Sequence, residues 1–362
     1  MHTNRNWKKL FGIPPRNSES NLNQSYMNLA LAIQTVTEEM VLKLVKTTVK
    51  ISNCKNLVLA GGVALNCVAN GKILENNLVD NLWIQPASGD AGGSVGAAYC
   101  AYHIGLNKDR PERNKDQMKG TYLGPKYTST EIELLKYRYN AQMSLETRSE
   151  IYNKTAQFLT EGKVVGWFQG RMEFGPRALG RRSILADPRN PEMQKKVNLK
   201  IKYREGFRPF APSILEEDCA RFFDIKEKSP YMLLVAPVKN SICYELPKNY
   251  HSLSLFEKLY HQRSDLPAIT HVDFSARIQT VSKESNEEFW HLLNKFKEKT
   301  ETPVLINTSF NVRGEPIVCT PDDAFQCFMT TEMDVLVIEN YIFIKEEQNN
   351  VINIKEKKYV MD

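Results

Sequence analysis

No two of the seven cysteines are spaced C-x-x-C: Cys54, Cys67, Cys100, Cys219, Cys243, Cys319 and Cys327 are scattered and odd in number. This argues against a disulfide framework and against structural zinc, both of which need paired thiols at short spacing. Long apolar runs are missing too. The stretch from Leu57 to Ala69 is short and broken by Gly61, Gly62 and Asn66, so no membrane span is expected. Met1 opens a polar, basic run instead of a secretory leader, and these features together predict a cytoplasmic chain. Internal repeats and low-complexity tracts are also lacking.

What is present is ordinary in bulk. The 362 residues are 42% hydrophobic and 25% charged, long enough for two domains with their own cores. The net charge of +6 says little, but its placement says more. Arg171, Arg177, Arg181, Arg182, Arg189, Lys195, Lys196, Lys200, Lys202, Arg204 and Arg208 face only Glu173, Asp187, Glu192 and Glu205 across the same stretch.

Leu29, Ile33, Val36, Met40 and Leu44 recur at helical spacing, which predicts an amphipathic helix over about 25–49 with a buried stripe. A strand at 57–60 ends in Gly61-Gly62, a helix starts near Asn66, and a strand at 82–84 leads to a third helix opened by Gly92, Gly93 and Gly96. Alternating helix and strand predicts an α/β layer. The charged stretch 107–142, with Pro111, Gly120, Gly124 and Pro125, reads as a linker. Beyond it Ser149 is expected to cap a helix to Thr160, and Asn190 to cap one bearing Met193 and Val197. Buried strands are expected at 164–168, 303–306 and 335–338, the last pairing with 342–344 around Glu339-Asn340. Thr320 should open the final helix, making this half mixed α+β.

Five groups of residues point to chemistry. Gly61-Gly62 lets backbone approach a ligand, or simply makes a tight turn. Asp90, in the loop before a glycine-opened helix, could ligate a hard cation or cap the helix. The run from Gly170 to Ser183 alternates Arg with Gly, Pro, Phe and Leu, and the run from Ile201 to Ser213 mixes Arg and Lys with Gly, Pro and Phe in the same way. Guanidinium forks in such surroundings read as aimed at phosphate oxygens, and both runs predict an anion pocket. Asn307, Ser309 and Asn311 follow a buried strand; their amides and hydroxyl could read a carboxamide or satisfy a turn. His271 and Asp273, two apart, would share a face of an extended segment and serve in acid–base work or pair with Arg277.

Five ordered motifs, LVLAGGVALNCVANGKI, PASGDAGGSVGAA, GRMEFGPRALGRRSILADPR, KYREGFRPFAPSIL and PVLINTSFNVRGEPIV, resemble the NodU/CmcH type of O-carbamoyltransferase from about Leu10 to Lys345. The resemblance implies the second half of an actin-like ATPase-fold domain at 1–106, a linker at 107–147 and a YrdC-like domain, similar to threonylcarbamoyl-adenylate synthases, at 148–362. It implies that carbamoyl phosphate and ATP give carbamoyl-adenylate, whose carbamoyl group passes to an acceptor hydroxyl. Arg177, Lys202, Arg204 and Arg208, with Arg171 and Arg182, would then hold phosphates. Asn307, Ser309 and Asn311 would orient the carbamoyl end; Gly61, Gly62 and Asn66 would contact adenosine; Asp90 would ligate Mg²⁺ or Fe²⁺.

The sequence departs from that family in one respect. The implied phosphate loop and His-x-x-x-His metal motif are not found, since no two of its six histidines stand four apart. Asp90 would lack co-ligands, and a second chain supplying the other half-domain, or a homo-oligomer, is expected. Alternative readings are a tRNA-modifying threonylcarbamoyl-adenylate enzyme, a hydrogenase-maturation carbamoyltransferase and a non-catalytic nucleotide-binding subunit. No broad basic-aromatic surface favours nucleic acid, and the zinc-finger cysteines of the hydrogenase relatives are absent.

Overall fold

Residue Leu305 faces one side of a strand and Ile306 the other, and both are fully buried. A strand apolar on both faces needs helices on both, and that requirement organises the larger part of the molecule. The computed structural model describes residues 5–16, 20, 23–110, 116–204 and 206–354. Pro111 of the expected linker and Glu205 of the second basic run lie outside the described residues. The chain divides into two compact units, one containing the described residues up to Val58 together with Val68–Trp83, the other Leu59–Cys67 and the described residues from Ile84 onward.

Helices α1 (Arg5–Phe11), α2 (Gln24–Ser52) and α3 (Cys67–Glu75) lie in the N-terminal part, with strands β1 (Asn56–Leu59) and β2 (Asn81–Ile84) pairing as a two-stranded sheet. The helix predicted over 25–49 exists, but its stripe is not buried. Ile33, Val36, Met40 and Leu44 are 50–62% exposed, and the residues α2 does bury are Glu38 and Val45. Glu38 is held by Lys72 of α3 and by Gln34. Helical spacing puts apolar residues on one face; it does not say that another element covers that face.

Helix α4 (Asp90–Cys100), continued by a π-helical turn Ala101–Gly105, matches the expected glycine-opened helix. Gly92 is needed there: a Cβ would stand 2.2 Å from the Ala87 carbonyl oxygen. Helix α5 (Ser129–Tyr139) corrects the linker expectation. Its Ile132, Leu135 and Tyr139 belong to the main core, so only the part before it can serve as a connection. The signal was a Thr128–Glu131 capping box, which the charge of the stretch obscured.

Strands β3 (Ser144–Leu145), β4 (Val165–Phe168), β5 (Arg182–Ala186), β6 (Ala211–Leu215), β7 (Leu234–Pro237), β8 (Ser275–Val281), β9 (Val304–Ser309), β10 (Val335–Ile338) and β11 (Tyr341–Ile344) form one mixed sheet, ordered β3-β11-β10-β4-β5-β9-β6-β8-β7. Helices α6 (Arg148–Thr160) and α10 (Glu287–Thr300) cover one face; Phe289, Leu292, Leu293 and Phe296 of α10 recur at helical spacing and meet Trp167, Leu185, Leu215 and Leu305. The other face holds α7 (Met193–Lys200), short α8 (Cys219–Phe222) and α11 (Pro321–Met329), with α5, against Ile184, Ile214, Ile306 and Leu336; α9 (Leu255–Tyr260) lies outside both cores. Burying each such side chain contributes about 1.5–3 kcal/mol. Thr320 caps α11 as expected, whereas α6 is capped by Thr147, whose hydroxyl accepts from the Glu150 amide, and not by Ser149. Among the described residues no helix is long and apolar enough to cross a membrane.

Candidate phosphate-binding site

The register of the sheet decides which loops meet. Strand β5 runs antiparallel to β9 with Ser183 opposite Ser309, β9 antiparallel to β6 with Asn307 opposite Ala211, and β6 parallel to β8 with Ser213 opposite Gln279. The start of β5, the start of β6, the start of β8 and the end of β9 therefore lie along one edge. Both basic runs, the His271 segment and the Asn311 loop are brought there by topology.

At this edge Lys202 is the most committed cation. It is 3% exposed, and its Nζ donates toward the Ser309 carbonyl (2.8 Å) and hydroxyl (3.2 Å) and toward the Asn311 carbonyl (2.9 Å) and Oδ1 (2.6 Å). None of these four acceptors is a carboxylate. Burial, reinforced by the Arg204 charge, lowers the amine to about 7. Arg204 donates from Nε to Asn198 Oδ1 (2.7 Å) and lies over the Phe210 ring. Lys202, Arg204, Arg208, Ser309, Asn311, Val312, Arg313 and Gly314 enclose a cavity of about 210 Å³. Arg313 completes it. Sequence pattern alone does not single out Arg313, although its position two residues after Asn311 in the same motif is the signal that places it at this wall.

Arg177 stands apart from that cavity. Its Nη2 donates to the Leu65 carbonyl (3.3 Å), and its Nε is buried without a partner. Burial, then the charge of Arg277, lowers its guanidinium to about 10. Arg277 shares a face of β8 with Gln279, whose amide donates to the Leu179 carbonyl (3.0 Å), so it lies beneath the loop that carries Arg177. The charges of Asp273 and Arg277 both reach the His271 imidazole as well. Two guanidinium groups brought together this way make a second anion-favouring position.

Several other expected site residues are placed differently. Arg182 is fully buried, stacked 3.4 Å from the centre of the Phe168 ring, and donates to the carbonyls of Gln169, Arg181, Pro125 and Gly170. It is a structural cation, not a substrate ligand. Arg171 is exposed and donates to the Gly124 carbonyl (2.9 Å). Asn307 is 1% exposed beneath the loop, its amide given to Ser213 Oγ (3.0 Å) and Gln279 Oε1 (2.9 Å), so it supports the site from inside the sheet.

His271 and Asp273 do not lie on an extended segment. The chain turns there, and Ser275 sits between them: its hydroxyl donates to Asp273 Oδ1 (2.7 Å) and lies 3.3 Å from His271 Nδ1. Burial lowers the imidazole to about 4, so it is neutral at pH 7. Both residues line a separate cavity of about 360 Å³ with Phe207, Pro209 and Leu259.

Gly61 adopts φ +97° and donates to the Ser88 carbonyl (2.8 Å), which ties the first glycine motif to the second. Gly62 opens a short 3₁₀ turn that Asn66 closes. Asp90 is the exposed first residue of α4 and does not cap it; there it complements the helix dipole. No group of three His, Cys, Asp or Glu side chains among the described residues could hold a metal, so this donor set does not fit the expected ion and no step is derived through one.

Two glycines shape the Arg177 loop. Gly175 has φ +134°, and Gly180 has φ +95° with a Cβ position 2.2 Å from the Phe289 ring. Gly180→Ala should therefore lower stability by about 2–4 kcal/mol. Urea unfolding checks this, and a loss under 1 kcal/mol would mean the loop relaxes freely.

Comparison with known proteins agrees with this geometry. The family model "Carbamoyltransferase C-terminus" matches residues 156–345, and "Carbamoyltransferase N-terminus" matches residues 2–99, beginning earlier than the motifs implied. The chain is 53% identical to uncharacterized protein sll1178 of Synechocystis over 96% of its own length and 57% of that protein. It is 38% identical to nodulation protein NolNO of Sinorhizobium fredii (89% of this chain, 44% of that one) and 38% identical to nodulation protein NolO of Bradyrhizobium diazoefficiens (89% and 55%). The chain thus spans about half the length of these relatives. Among solved structures, full-length HypF in a phosphate- and nucleotide-bound form is similar at a TM-score of 0.36 and 14% identity, over 54% of this chain and 22% of that one, too distant to add weight. With a sheet edge that gathers its basic motifs and both family models matched, the chain belongs to the carbamoyltransferase family.

Proposed function

We propose that this carbamoyltransferase chain binds carbamoyl phosphate and ATP and joins them into carbamoyl-adenylate. The observation that carries the reading is the cavity of about 210 Å³ walled by Lys202, Arg204, Arg208 and Arg313, beside Ser309 and Asn311. Guanidinium forks and an ammonium gathered at one wall match the several oxygens of a phosphoryl group. Ser309 and Asn311 add a hydroxyl and an amide at the same wall, suited to a carbamoyl group beside its phosphate.

The atoms balance with one water. Water cleaves the phosphate from carbamoyl phosphate, leaving carbamate and inorganic phosphate; a carbamate oxygen then attacks the α-phosphorus of ATP and displaces pyrophosphate. In this scheme Lys202, Arg204, Arg208 and Arg313 neutralise phosphoryl oxygens, and Arg177 with Arg277 takes a second phosphoryl group. Transfer to an acceptor hydroxyl is the finer part of the proposal, supported by the five motifs and by family membership.

The test is exchange of labelled pyrophosphate into ATP. Exchange should require carbamoyl phosphate. Exchange of equal rate without it would sink the adenylate scheme, and binding of carbamoyl phosphate with no exchange at all would reduce the chain to a binding subunit.

A further inference from the structure

We propose that Glu173 is a positioning residue that fixes Arg177 for anion binding, an inference that rests on the reading of Arg177 as a phosphate ligand. The carboxylate is 6% exposed, in the loop that leaves β4 and returns as β5. One of its oxygens, Oε1, accepts from three backbone amides of that same loop: Leu179 (2.6 Å), Arg181 (2.9 Å) and Arg182 (3.3 Å). A buried anion that gathers three N–H groups closes the segment 173–182 on itself, with Arg177 at its middle. Charge-assisted bonds of this kind are roughly twice as strong as neutral ones, so the closure is stiff.

The rest of the loop is held from below. The Leu179 carbonyl accepts from Gln279 Nε2 (3.0 Å), Asn286 Nδ2 (3.2 Å) and Tyr122 Oη (3.2 Å). Trp167 Nε1 donates to the Gly180 carbonyl (3.1 Å), and Ser183 Oγ accepts from the Gly180 amide (3.0 Å). The ascending limb has bonds of its own, from the Gly170 amide to Glu339 Oε1 (2.6 Å), from the Met172 amide to the Pro125 carbonyl (3.0 Å) and from the Phe174 amide to the Thr121 carbonyl (2.7 Å). Around Arg177 itself the loop is held by longer bonds, from Arg177 Nη2 to the Leu65 carbonyl (3.3 Å) and from Asn307 Nδ2 to the Ala178 carbonyl (3.4 Å). Nearer the strands the limbs are joined by the Gln169 amide to the Arg181 carbonyl (2.9 Å) and by Arg182 to the Gly170 carbonyl (3.1 Å); Glu173 joins them next to Arg177, binding amides on its far side back to a residue four before it. Loosening it frees Arg177 to move off the edge without removing any atom that touches a ligand.

A double-mutant cycle on the full chain distinguishes this from a general structural role. Carbamoyl phosphate affinity is measured by calorimetry for the parent chain, Glu173→Gln, Arg177→Ala and the double variant. Glu173→Gln keeps the volume and removes the charge, and should weaken binding about tenfold. In the Arg177→Ala background the same change should alter affinity less than twofold. Equal weakening in both backgrounds overturns the proposal, as does no weakening in the parent. If Arg177→Ala alone leaves affinity unchanged, the reading of Arg177 has failed, which is a separate result from the failure of Glu173 to act through it. Should Glu173→Gln not fold, Glu173→Asp takes its place in the cycle: it keeps the charge and withdraws the oxygen, with the same dependence on Arg177 expected.

Discussion

Carbamoyl phosphate should bind with uptake of a proton above pH 7, and its affinity should fall by up to about tenfold per pH unit from pH 8 toward 10. The cause is Lys202, whose amine is lowered from 10.5 to about 7 by burial and by Arg204. Its four partners accept hydrogen bonds but none cancels its charge, so at pH 8 the empty site holds mostly the neutral amine. A phosphate dianion beside it favours the ammonium and raises its pKa again. The bound state then holds a proton that the free state lacks. Calorimetry in buffers of different ionisation enthalpy reads that proton directly. The same shift fixes the sign for folding. Between about pH 7 and 10.5 the unfolded chain binds a proton at Lys202 that the folded chain does not, so this residue makes stability rise with pH across that window. Lys202→Met should abolish the proton uptake and weaken binding by about 1.5–3 kcal/mol, the worth of hydrogen bonds to a charged group. A buffer-independent enthalpy in the parent chain would mean that Lys202 is already protonated in the empty site.

Arg182→Ala should unfold the protein far more readily than it alters ligand affinity. The guanidinium meets carbonyls of Gln169, Arg181, Pro125 and Gly170 and stacks on Phe168, with no exposed surface. Truncation leaves those carbonyls short of donors and opens a cavity against an aromatic ring, a loss of about 3–5 kcal/mol. Lysine would be a poor substitute, because its compact ammonium cannot span carbonyls arranged around a planar fork. The check is the urea midpoint alongside calorimetric affinity at low temperature, where the variant remains folded. An affinity loss greater than tenfold in folded Arg182→Ala protein would return this residue to the ligand set.

The contrast between Lys202 and Arg182 shows what the sequence could and could not convey. Both lie in basic, glycine-containing runs, and the family resemblance implies phosphate contacts for both. What separates them is strand parity. Arg182 opens β5 and shares a face with Ile184, so its side chain enters the packed layer, whereas Lys202 follows α7 and reaches the sheet edge. The same limit explains α2. Its period was legible from Leu29 to Leu44, but covering a face is a property of other elements, and no local pattern reports it. Capping was partly legible: Thr320 was identified because Pro321 follows it, and Thr147 was missed because Ser149 stood nearby. His271 and Asp273 were near each other in number, and the turn at Phe274, with φ +60°, broke the extended geometry on which their pairing depended.

The order of strands at the site edge has a kinetic meaning. Arg177, Lys202, Arg277 and Ser309 are spread along the chain from before β5 to the end of β9, and they share one edge only when β5, β9, β6 and β8 have registered side by side. Each of those pairings closes a long loop, the slow kind of event in folding, because chain entropy is lost before the contact is gained. A partly folded chain with α6, β4 and the Arg177 loop in place would still have no anion cavity. Affinity for a phosphate is then a late property of folding, and a bound phosphate stabilises the last pairings to form rather than the first.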